Sequence, residues 1–204
     1  MNLFLSLSVL VLACTGLYIQ DQAAVTAPEA PLLASMVSSD KPSTKEESSE
    51  TIPWSARRIV GWSDFQGAPV TGTEAVASTS TTLGLSYQLR NGELSFEINC
   101  TFSKPHSWGS LKTEYILAHE QGHFDITEIC ARKLHQALQD YTFNRRTYKT
   151  DLTKIYQQIV DLKENMQETY DQETDHSRRK KVQAEWEARI DQMLAETQPW
   201  AAYP

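Results

Sequence analysis

His119 and His123 stand four residues apart in the stretch Tyr115–Leu134, with Glu120 directly after the first histidine. On a helix, residues four apart share one face about one turn apart. Both imidazoles can then present a ring nitrogen to a single ion. Zinc takes imidazole ligands, and a catalytic zinc leaves one position for water. Glu120 would stand beside that water and take its proton. The chemistry expected is hydrolysis of a carbonyl compound, with Glu120 as general base and then acid. Gly122 lies inside the same helix. A glycine there costs about 1 kcal/mol relative to alanine, which predicts that another stretch of backbone passes close by.

Two histidines do not complete a zinc site. On the same helix, Asp125 falls roughly 200° around from His123 and Glu128 about 140° around, while His135 is about 18 Å further along. The third ligand must come from another element. Downstream, "YDQETDHS" gathers Asp171, Glu173, Asp175 and His176. His176 is the preferred third ligand, followed by Asp171 and Glu173, then Asp175. His106, in the "KPHSW" loop, is the lesser histidine.

Several elements must position these residues. Leu83, Leu85, Tyr87 and Leu89 alternate with small or polar residues, and Leu94, Phe96, Ile98, Cys100 and Phe102 do the same after Asn91-Gly92. Asn-Gly is a favoured two-residue hairpin turn. That register sets Leu89 against Leu94, Tyr87 against Phe96, Leu85 against Ile98 and Leu83 against Cys100, with the apolar side chains on one face. A short strand is expected over Arg58–Trp62. From Thr113 to Tyr141 the pattern is one long helix. Tyr148, Leu152, Ile155, Ile159, Leu162 and Met166 form a second helical stripe, most simply read as core. Val182, Trp186, Ile190 and Met193 form a third. Strands followed by helices predict an α+β domain.

The N-terminal part reads differently. Leu3–Ala13 is apolar apart from two serines, too short to span a bilayer, which takes about 20 residues, and suited to an export signal. "VLAC" resembles a lipobox, which would make Cys14 a lipidated first residue and a membrane attachment; cleavage near Ala23-Ala24 is the alternative. The divisions expected are a signal over residues 1–20, a tether over 21–52 rich in Ser, Thr, Glu, Lys and Pro, and a folded domain over 53–197. The chain of 204 residues carries a net charge of −7, which argues against nucleic acid as a partner. Localisation is expected in the periplasm or cell envelope, or outside the cell. Cys100 and Cys130 remain after processing. They could pair in an oxidising compartment, although two buried thiols are the preferred reading.

"LAHEQGHFDITEICARKL", with "GWSDFQG" and "SW" before it and "YDQETDHS" and "VQAEWEARIDQML" after it, resembles a bacterial family of secreted zinc-dependent proteases catalogued as a domain of unknown function, DUF922. The resemblance spans roughly Trp54–Leu194. It implies a zincin-like fold, zinc on His119 and His123, and Glu120 as catalytic acid/base. It also marks Asp125 and Tyr170–His176 as positions that fit the family pattern. Asp125 is a candidate for a supporting hydrogen bond, and Tyr170 for either an oxyanion donor or a core tyrosine. The function expected is an envelope zinc metallopeptidase whose peptide or protein substrate adds as a strand to a sheet edge. A non-enzymatic zinc-binding envelope protein and a cell-wall peptide amidase are the alternatives.

Overall fold

The computed structural model describes residues 50–55 and 59–204. The signal, most of the tether, Cys14 and Ala23-Ala24 lie outside these residues. The described residues are α+β, with antiparallel strands followed by three helices. Strand β1 is Thr51–Pro53, β2 Ala77–Ser78, β3 Thr81–Arg90, β4 Glu93–Ser103 and β5 Trp108–Gly109. The helices are α1 Glu114–Gln139, α2 Tyr148–Thr174 and α3 Lys180–Glu196.

The hairpin forms in the expected register, with Leu83, Leu85, Tyr87 and Leu89 opposite Cys100, Ile98, Phe96 and Leu94. Asn91 and Gly92 both take positive φ, 53° and 88°, as its tight turn requires. β4 is the central strand, between β1 and β3, and β2 pairs separately with β5. β3 is therefore an edge. One carbonyl of β3 is already taken, since Tyr156 of α2 donates its hydroxyl to Leu83 O at 2.7 Å.

α1 starts where Thr113 accepts the backbone N–H of Ile116 on its hydroxyl, at 3.2 Å. The helix is sandwiched. Phe124, Cys130, Ala131 and Leu134 pack toward the sheet and α2 with Phe102 and Leu152. Ile126 and Ile129 pack with Tyr170 of α2 and Trp186, Ile190 and Leu194 of α3. Burial on both sides leaves α1 little freedom, so the side chains it carries are held rigidly.

Four expectations change. Among the described residues no strand lies over 59–62. Val60 instead gives its N–H to the Gln121 side chain of α1 at 3.0 Å, and Asp64 caps Gly61 in a short 3-10 turn over Trp62–Asp64. Leu162, expected in the core stripe of α2, is 36% exposed. β1 begins at Thr51, inside the segment read as tether. Packing also continues past residue 197. Tyr203 donates to Glu128 at 2.7 Å, and Ile98 N donates to Pro204 O at 2.8 Å, extending the β4 edge beyond β1. Cys100 and Cys130 are free and buried, in line with the reading as two thiols.

Candidate metal centre

α1 brings His119 and His123 onto one face with ring centroids 4.9 Å apart and nearly perpendicular. Into the gap between them reaches Asp171, from the last turns of α2. Its Oδ1 lies 3.1 Å from His119 Nε2 and 3.2 Å from His123 Nε2. One donor atom from each of the three falls within 4.8 Å of the others. A tetrahedral zinc with bonds of about 2.0–2.1 Å would space its ligands about 3.3 Å apart. Two imidazoles and a carboxylate at this spacing fit that ion.

The surroundings set the ring nitrogens. Gln167 places its amide oxygen in a short contact with His123 Nδ1, and its amide nitrogen donates to His123 O at 2.9 Å and to Thr127 Oγ1 at 3.2 Å. With the amide oxygen as acceptor, Nδ1 carries a proton, so Nε2 is the nitrogen that a neutral His123 would offer to an ion. His119 lies flat on Tyr170, with centroids 4.5 Å apart and planes at 20°. Tyr170 is fully buried and donates to His119 O at 3.3 Å. It is thus a core tyrosine, already engaged, and not a free donor facing the site. The same ring explains Gly122. A Cβ there would lie 2.6 Å from Tyr170 Oη and 2.8 Å from Cζ. The close neighbour is this side chain and not the backbone that the sequence suggested.

The charges are tightly linked. Burial alone would lower His123, but the hydrogen bond and charge of Asp171, with Glu120 and Gln167 behind them, carry it up to about 9. Burial would raise Asp171, yet the two histidines hold it well below the usual carboxylate range. His119 goes down, since burial outweighs its bond to Asp171. The Asp171 carboxylate and the protonated His123 ring thus attract one another across the cluster.

Glu120 is 4% exposed, and its Oε2 is buried with no hydrogen-bond partner among the described residues. Burial raises its pKa; the charge of His123 and hydrogen bonds from Thr79 pull the other way. Thr79 also donates its hydroxyl to Glu120 O at 3.2 Å, tying the strand region above α1 to the motif.

His176, the preferred third ligand from sequence, is not one of the three converging groups. Its Nδ1 lies 3.5 Å from Asp171 Oδ1 and its side chain is 61% exposed. Asp171, ranked next, takes the inner position because α2 runs on to Thr174, so most of "YDQETDHS" is helix and not a connecting loop. Glu173 turns away and accepts from Trp186 Nε1 at 2.7 Å. Asp175 pairs with Arg178 at 3.3 Å, and His106 contacts Ser103 at 2.8 Å on the surface. Asp125 accepts from Trp54 Nε1 at 2.8 Å and from Gln121 at 2.9 Å, a tie between α1 and the end of β1. Gln167 and Thr79 were missed. Gln167 stands four residues before Asp171, on the same face of α2, and that spacing was its signal.

No curated protein and no solved structure matches the chain. The profile of one family, described as "Bacterial protein of unknown function (DUF922)", matches residues 37–177. The match takes in the hairpin, α1 and α2 and closes just beyond His176, so that all three converging side chains lie inside it, and the chain belongs to the DUF922 family.

Proposed function

We propose that the protein is an exported, zincin-like zinc metallopeptidase, with zinc held by His119 Nε2, His123 Nε2 and Asp171 Oδ1. The observation that carries this reading is the convergence of those three atoms beside a buried glutamate with an unpartnered oxygen. Zinc bound there would supply a Lewis acid that lowers the pKa of a water and polarises a peptide carbonyl. Glu120 takes the proton as the water oxygen bonds to the carbonyl carbon. It returns that proton to the amine nitrogen as the C–N bond breaks. Low exposure keeps Glu120 from being solvated, and its Oε2 has no hydrogen-bond partner among the described residues to compete for the proton it takes. Gln167 and Tyr170 hold the two rings in place. The open edge of β3 offers main-chain groups to an extended peptide, up to Leu83, where Tyr156 closes it. Export rests on the apolar Leu3–Ala13 segment.

The test is zinc content together with cleavage of labelled casein. Glu120→Gln is expected to keep equimolar zinc and to lose hydrolysis by about 10²–10⁴-fold, the range for removing a general base. Asp171→Asn is expected to lose zinc. Full zinc in Asp171→Asn would remove Asp171 from the ligand set, and undiminished cleavage by Glu120→Gln would end the proposed mechanism.

A further inference from the structure

We propose that His176 is a substrate-facing donor, held at the outer side of Asp171 by a left-handed turn so that its imidazole hydrogen-bonds the carbonyl oxygen of a bound peptide as that oxygen gains charge. The proposal rests on the peptidase reading above. Its first support is the backbone. Asp175, His176 and Ser177 take φ of 51°, 50° and 70° in succession. A helix C-terminus is commonly closed by one left-handed residue. Asp175 provides it, its N–H donating to the carbonyls of Asp171 and Gln172. His176 and Ser177 go beyond what capping needs, and non-glycine residues enter this region as single residues far more often than three in succession.

Strain of this kind persists only where the surroundings enforce it, and it gathers where a side chain must be presented. The enforcement is visible. His176 N donates to Asp171 O at 2.9 Å, Arg179 N to Thr174 O at 2.8 Å, and Thr174 Oγ1 to Tyr170 O at 2.6 Å, while Ser177 is buried. The turn is thereby bolted to the helical segment that carries Asp171 and Tyr170.

What the turn presents is the His176 ring. It is 61% exposed, and Nδ1 lies 3.5 Å from the Asp171 oxygen on which His119 and His123 converge. No other hydrogen-bond partner holds the ring among the described residues. A group both open to solvent and this close to the centre can touch substrate. Tyr170 cannot, because it is buried and bonded to His119 O.

The experiment compares the zinc-loaded full chain with His176→Gly and His176→Asn, both tolerant of positive φ. Zinc content, thermal midpoint, steady-state cleavage of labelled casein and affinity for a phosphinic tripeptide are measured on each. That probe carries a tetrahedral, charged oxygen where the peptide carbonyl would be. The expected result is equimolar zinc throughout and an equal or higher midpoint for His176→Gly. The turnover number should fall about 10²–10³-fold with KM changed little, and phosphinic affinity should weaken alongside it. Zinc loss in both variants would make His176 a ligand instead. Unchanged turnover and phosphinic affinity would reduce the turn to a helix end. A wild-type protein that binds zinc but cleaves no peptide would overturn the peptidase reading itself, and this role with it.

Discussion

At the scale of single residues, Gly122 and Gln167 decide whether His119 and His123 stay in place. Gly122 leaves room for the Tyr170 ring on which His119 rests. Gly122→Ala would put a methyl group 2.6 Å from Tyr170 Oη, inside any tolerable contact. Because Tyr170 is fully buried, it has nowhere to retreat. The expected cost is about 1–3 kcal/mol, as for other overpacked sites, read as a lower urea midpoint, together with weaker zinc binding. A variant with the parent midpoint would mean that the contact is easily relieved. Gln167 acts by orientation. Gln167→Ala leaves His123 Nδ1 without its acceptor and should weaken zinc about 10–100-fold while leaving the fold intact. Equal zinc affinity would show that the His123 ring is held by packing alone.

At the scale of elements, the hairpin and the long first helix were legible from the sequence because each carries strong local signals. Asn91-Gly92 fixes the hairpin register, and Thr113 caps α1. The helical half lacks such punctuation, since no glycine or proline stands between Gly122 and Pro199. The end of α2 is made by left-handed residues that are not glycine, which nothing in the sequence announces. That is why the sequence favours His176, whereas the side chain that meets both histidines is Asp171, about one turn earlier. Of the expected strand, the described residues 59–62 form none for another reason: the Val60 N–H is claimed by a side chain of α1, a tertiary bond that no local pattern reveals. Between α1 and α3 the tie is Arg132, which pairs with buried Glu128 at 2.8 Å and donates to Leu194 O at 2.8 Å. Arg132→Met removes the cation and strands a carboxylate whose pKa burial already raises. The expected loss is about 3–5 kcal/mol in urea unfolding, and a loss below 1 kcal/mol would mean that Glu128 simply takes up a proton.

At the scale of the whole molecule, alkaline pH should loosen the fold. Burial pushes the Cys130 thiol from 9.0 up to about 12 and raises Cys100 well above its ordinary value. Folding therefore favours the neutral thiols. Their contribution is complete below about pH 9 and disappears as pH climbs toward 12. Urea midpoints should fall over that interval, and less steeply in Cys130→Ala; parallel curves would remove Cys130 as a cause. Truncation after Thr197 would delete the bonds of Tyr203 to Glu128, Trp200 O to His135 and Pro204 O to Ile98 N. At about 1 kcal/mol per hydrogen bond, the expected loss is roughly 3 kcal/mol, and an unchanged midpoint would make this segment dispensable. The separation of the site's two arms also has a consequence in time. Asp171 follows His119 by 52 positions. A chain emerging N-terminus first presents both histidines and Glu120 well before the carboxylate that joins them arrives. Until α2 docks, the nascent protein has no finished cluster, so the proposed hydrolytic chemistry would be withheld until most of the chain has been delivered.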